Sequence, residues 1–189
     1  WATVGGFTAG SSTLSMSCTA AKTITLSAAG SLNNLTIGSG CSASLAGTGT
    51  LTMNGSFTIA NSASFNATSD TLNIGVNYSN LGGTFTHGST ATVAFTGSGT
   101  QSVGAETFYN VTVNKTGGTL TASGALTIAN TLTVTNGTFN LGTGLTHVVT
   151  NDVDLASAAG TATLNLGTST LKVYDDFTSG SGGTLTLTG

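Results

Sequence analysis

Short runs of a large apolar, a polar and a large apolar residue recur along the whole chain. They include ITL at 24–26, LTI at 35–37, LTM at 51–53, FTI at 57–59, VTV at 111–113, LTI at 126–128 and LNL at 164–166. Successive side chains of an extended strand point to opposite faces, so each run reads as a short strand with one buried face. Gly, Asn, Ser and Asp fill most of the intervals, as turns require. No stretch carries a helical period. The runs restart about every six or seven residues, which is too tight for ordinary hairpins. A chain that turns a corner after each strand satisfies this spacing. Three such sides make a coil of about 18–21 residues, the scale of a solenoid repeat. The expected fold is therefore all-β: a parallel β-solenoid of about 9–10 coils, forming one domain over 1–189. Leu51, Leu72 and Val93, 21 apart, and Leu126, Leu145 and Leu164, 19 apart, are expected to stack as apolar ladders.

A longer repeat overlies the coils. TLNIGVNYSNLGGTFTHGSTATVAFTG (71–97) aligns without a gap to TLNLGTSTLKVYDDFTSGSGGTLTLTG (163–189), and SLNNLTI (31–37) aligns to TFYNVTV (107–113). With small gaps, 1–17 aligns to 78–96. The copies are read as about 1–77 and 78–169, with a partial third at 170–189 and extra length around 142–160. Both ends then fall at one phase of the repeat, as two faces that stack on each other. No charge or Pro blocks the last strand, GGTLTLTG, and an unblocked strand edge pairs with another chain.

Composition narrows the functions. Only 5% of the residues are charged, about a fifth are Thr, and the net charge is −3 with three Lys and no Arg. Such a chain cannot build a phosphate-binding surface, so nucleic acid is not a partner. No apolar run reaches the length of a membrane helix, and the strands are too short for a membrane barrel. No membrane insertion is expected.

TFYNVTVNKTGGTLTASGALTIANTLTVTNGTFNLG (107–142) resembles repeats of large bacterial secreted surface proteins, the filamentous-haemagglutinin-like and autotransporter-like β-helix adhesins and fibres. The resemblance is of style and extends over most of the chain through its internal copies. It implies a right-handed β-helix at the cell surface, serving as stalk, adhesin or fibre, and it carries no catalytic residues.

The chemistry-bearing residues are few. Cys18 and Cys41 lie 23 apart, close to one coil, and are expected to form a disulfide between adjacent coils. His87 and His147 are too few for a zinc site and read as polar surface residues. Asp152, Asp154, Asp175 and Asp176 read as surface charge, since a calcium site needs about six to eight oxygens. No catalytic, cofactor or metal site is assigned, and the chain is not read as an enzyme. Asn34, Asn54, Asn66, Asn77, Asn110, Asn114 and Asn136 open Asn-X-Ser/Thr triplets and are candidate glycosylation acceptors, some also corner-stacking residues. The expected function is that of a structural subunit of an extracellular filament whose partner is the chain itself, stacked head to tail. Trp1, Val4 and Phe7 form one side of the joint and Leu185 and Leu187 the other. The alternatives are a stalk segment of a larger adhesin or, third, an ice- or surface-glycan binder. The last needs a regular Thr face, which the variable coil length argues against.

Overall fold

The computed structural model describes residues 10–26, 29–47, 49–156 and 161–186. Among them there is no helix; the regular structure is strand throughout. The chain divides into two compact units, 1–93 and 94–189.

In the first unit the strands are β1 (Thr13–Met16), β2 (Lys22–Leu26), β3 (Gly30–Leu32), β4 (Asn34–Ile37), β5 (Ser42–Gly47) and β6 (Thr50–Met53). They are followed by β7 (Phe57–Ile59), β8 (Ser64–Asn66), β9 (Thr71–Ile74), β10 (Tyr78–Asn80), β11 (Thr84–Thr86) and the start of β12 (Thr92–Phe95). Every third strand pairs. One sheet is β1-β4-β7-β10, a second is β2-β5-β8-β11, and a third begins β3-β6-β9. All the pairings are parallel, as in Leu35 with Phe57, Phe57 with Tyr78, and Leu51 with Leu72. This is a parallel β-solenoid with one strand per side and three sides per coil.

In the second unit the strands are β13 (Gln101–Val103), β14 (Glu106–Phe108), β15 (Asn110–Ala122), β16 (Leu126–Ile128), β17 (Leu132–Asn140) and β18 (Thr146–Val149). Then come β19 (Val153–Leu155), β20 (Ala162–Asn165), β21 (Thr170–Val173), β22 (Phe177–Ser179) and β23 (Gly183–Thr186). Strands β14, β16, β18 and β21 form one side. The long β15 and β17 each turn a corner. Their first halves lead to β19 and β22, and their second halves pair with β13, β20 and, through β20, β23.

Among the described residues the turns number about eight, four in each unit, against the nine or ten expected for the whole chain. The coils are longer than expected because corners absorb extra residues without disturbing the ladders. Thr13 faces Asn34, 21 residues on, whereas Phe139 faces Leu164, 25 on, and His147 faces Leu171, 24 on. The widest coil is the one through 142–160. The expected Leu126–Leu145–Leu164 ladder does not form. Leu126 lies on β16 opposite Glu106, and Leu164 lies on another side between Phe139 and Leu185. A fixed step of 19 fails where corner length varies.

The 27-residue repeat is realised as the same run of four strands, β9–β12 in one copy and β20–β23 in the other. Thr13–Met16, matched by sequence to Thr92–Phe95, is likewise a strand, as is its match; β1 pairs with β4, and β12 joins the ladder of β9 and β15.

The inward ranks are apolar and close-packed. In the first unit Phe57, Phe65, Tyr78 and Phe85 form a ring cluster with edge contacts at 4.9, 5.7 and 6.0 Å. Each such side chain contributes about 1.5–3 kcal/mol by burial, and edge-to-face ring pairs add to that. At the close of β5, Gly47 has φ +106°, and a Cβ there would run into the Leu26 carbonyl of the coil below. Only glycine meets both conditions without strain.

Candidate functional site

The last described coil is where the apolar interior meets solvent. Val153 and Leu164 are fully buried, but their partners one rung on, Phe177 and Leu185, are 40% and 42% exposed. Tyr174, at the corner between β21 and β22, is 70% exposed. The cause is positional. A solenoid side chain is covered by the coils on both sides of it, and here only one side is covered among the described residues. The outer edges of β21, β22 and β23 also present backbone groups, because each of these strands is paired on one side only among the described residues. Of the expected joint residues Leu185 is therefore one of the exposed apolar side chains of the last described coil. Trp1, Val4, Phe7 and Leu187 lie outside the described residues.

The corner beside this end is acidic. Asp152, Asp175 and Asp176 bring carboxylate oxygens within 4.8 Å of one another. The Asp176 amide donates to Asp152 Oδ1 at 3.3 Å. Asp154 lies on the outer face of β19 rather than at this corner, and accepts a hydrogen bond from the Thr178 hydroxyl. One oxygen from each of three acids is fewer than a calcium ion takes.

Cys18 and Cys41 are joined as a disulfide across adjacent coils, with Cα atoms 4.8 Å apart, one strand spacing. The Asn-X-Ser/Thr positions divide by what their side chains do. Asn54, Asn66, Asn77 and Asn114 are exposed, whereas Asn34, Asn110 and Asn136 are half-buried. Asn34 Oδ1 accepts the Ser56 amide at 2.7 Å, and Asn110 Oδ1 accepts the Thr131 amide at 3.3 Å. Asn34 and Asn110, matched in the sequence repeat, each serve the corner that opens a strand, β4 and β15. From Asn110 a stack continues: Asn130 Nδ2 donates to Asn110 Oδ1 at 2.8 Å, and Asn151 Nδ2 donates to Asn130 Oδ1 at 3.3 Å.

On one side of the second unit the register aligns Thr119, Thr138, Thr163 and Thr184 in a single rank, despite the unequal coils. The neighbouring rank holds Thr121, Asn140, Asn165 and Thr186. Its two Asn accept from the amides of Gly142 and Gly167, two residues on, so this rank also forms turns.

Four buried polar residues were not anticipated: Asp70, Gln101, Lys115 and His147. His147 was expected on the surface and is 2% exposed. Its Nδ1 accepts the Leu126 amide at 3.2 Å and its Nε2 donates to the Leu141 carbonyl at 2.8 Å. The ring is therefore neutral with its proton on Nε2, and burial lowers its pKa from 6.5. His87 is half-buried. Lys115 Nζ donates to Gln101 Oε1 at 2.6 Å and to the Gly97 carbonyl at 2.9 Å, and burial lowers its pKa too. Asp70 accepts the Gly49 amide and the Thr68 hydroxyl. These groups are tied to the protein's own backbone and neighbours, which is the pattern of structural polar residues.

No protein-family model, curated protein or solved structure matches the sequence. What the fold defines is a class: a parallel β-solenoid repeat protein.

Proposed function

We propose that the protein is a structural subunit of an extracellular filament, built by one copy's coils stacking on the open end of another. The observation that carries this reading is the exposure of Phe177 and Leu185 at positions whose counterparts one rung back are fully buried. A further coil stacked there would bury both side chains, worth about 1.5–3 kcal/mol each, and pair the outer edges of β21, β22 and β23. A second copy of this solenoid supplies a matching edge, because its strands carry the same parallel pairing and the same inward apolar alternation. The low charge leaves little repulsion against such stacking, and the disulfide suits an oxidising compartment.

Electron microscopy of the purified 189-residue chain tests the reading. Long thin filaments, abolished by Leu185→Asp, are the expected result. Short monodisperse rods that are indifferent to Leu185→Asp would overturn it and favour a stalk segment whose next coil comes from the same polypeptide.

A further inference from the structure

The strand ladder of β14, β16, β18 and β21 is interrupted at one rung. The Glu106 amide donates to the carbonyl of Ala125 on the next coil, as a parallel ladder requires. One coil further the Leu126 amide, which by the same pattern would meet the Thr146 carbonyl, donates instead to the His147 ring at 3.2 Å. The backbone pairing of these strands is restored only at Thr127 with Val148. The interruption falls where the coil widens. Leu141, just before the enlarged corner, has a carbonyl that receives the His147 Nε2 proton and the Ser169 hydroxyl at 3.0 Å. Ser169 Oγ in turn accepts the Leu145 amide at 3.1 Å, and Thr168 Oγ1 accepts the Gly144 amide at 3.0 Å. One imidazole therefore ties the corner at 141–145 to the ladder.

We propose that His147 is an acid-operated latch: neutral, it holds the corner at 141–145 against β16, and protonated, it releases that corner. The chemistry is one of donors and acceptors. A second ring proton must sit on Nδ1, which faces the Leu126 amide, so an acceptor becomes a donor pointing at a donor. The cation would also be buried without a counter-charge. The charged groups on the enclosing strands do not supply one. Glu106 is two rungs away in the same rank, Lys172 and Asp154 lie on outward positions of β21 and β19, and Lys115 is a cation tied to Gln101. The acids Asp152, Asp175 and Asp176 sit at a corner between sides, two of them exposed. The lowered pKa has the matching sign. Stability from the neutral ring is complete above 6.5 and is lost as pH falls from there through the lower folded value.

Amide hydrogen exchange read by NMR, with protection corrected for intrinsic rates, tests the latch on the whole chain. Between pH 7 and about pH 4, protection at the Leu126, Gly144 and Leu145 amides is expected to fall by about tenfold or more and to recover on return. Leu35, in the first unit, is the control and should not change. His147→Asn keeps an acceptor oxygen near the Nδ1 position but cannot titrate, so its corner should lose the pH dependence. Unchanged protection in the wild type, or an equal loss in His147→Asn, would overturn the proposal. Should that variant not fold, the wild-type ring decides alone. A ring titrating at or above 6.5, or titrating without loss of Leu126 protection, would equally overturn it.

Discussion

Lys115 Nζ lies 2.6 Å from Gln101 Oε1 inside the second unit, and both side chains are about 1% exposed. A buried ammonium held by two neutral oxygens costs more than it returns, since neither partner carries the opposite charge. The pair is thus a liability as charge and an asset as geometry, because it fixes the chain at Gly97 against the irregular part of β15. Lys115→Ala should destabilise by about 2–4 kcal/mol, through a cavity and two oxygens left without their donor. The double variant Lys115→Met with Gln101→Leu should come within about 1 kcal/mol of the wild type. The pH dependence has a definite sign. With its folded pKa lowered, Lys115 binds fewer protons in the native state than in the unfolded one. Wild-type stability gains from this group as pH rises from the lowered value toward 10.5. Denaturant unfolding from pH 7 to about pH 10 should show that rise in the wild type and a flatter profile in the double variant.

The Cys18–Cys41 bridge closes a loop of 23 residues and joins the segment between β1 and β2 to the residue just before β5. Loop closure of this size stabilises by about 3 kcal/mol. Reduction, or replacing both Cys by Ala, should lower the unfolding free energy of the first unit by roughly that amount. Hydrogen exchange should show β1 and β2 opening first, with β13–β23 unchanged. Equal loss of protection across both units would show that the bridge acts on more than its own coils.

Much of the fold was legible because inward and outward positions alternate and the turn residues lie between them. The triplet VTV at 111–113 has Val111 and Val113 inward, and FTI at 57–59 has Phe57 and Ile59 inward. The same phase also pointed at the buried polar residues. Lys115 follows Val111 and Val113 at a step of two, Gln101 precedes Val103, His147 precedes Val149, and Asp70 precedes Leu72 and Ile74. Reading His147 by its polarity put it on the surface; reading it by its phase puts it where it lies. The coil count and the Leu126–Leu145–Leu164 ladder were not legible, because a corner adds residues without changing the strand that follows. The exposure of Phe177 and Leu185 was only half legible. Alternation marks Leu185 as inward, but whether another coil covers it is a matter of packing.

The side-chain stack Asn110–Asn130–Asn151 offers the sharpest test of corner chemistry. Asn130 donates to Asn110 Oδ1 at 2.8 Å and accepts from Asn151 at 3.3 Å, while its backbone amide bonds to the Tyr109 carbonyl at 2.9 Å. Asn130→Ala removes both side-chain bonds and should cost about 1–2 kcal/mol, with the backbone ladder intact. Asn130→Asp is nearly isosteric but turns the donor to Asn110 into a carboxylate oxygen facing another oxygen, and it adds a charge one coil from Asp152. It should be less stable than Asn130→Ala at pH 7. That facing arrangement raises the new carboxyl's pKa, since only its protonated form donates to Asn110. A carboxyl with a raised folded pKa stabilises at low pH and loses that contribution as pH rises through the folded value. The deficit of Asn130→Asp relative to Asn130→Ala should therefore shrink as pH falls to about 4, in paired thermal or denaturant melts. A deficit independent of pH would mean that the Asn110 contact contributes nothing and that the stack is only a by-product of corner geometry.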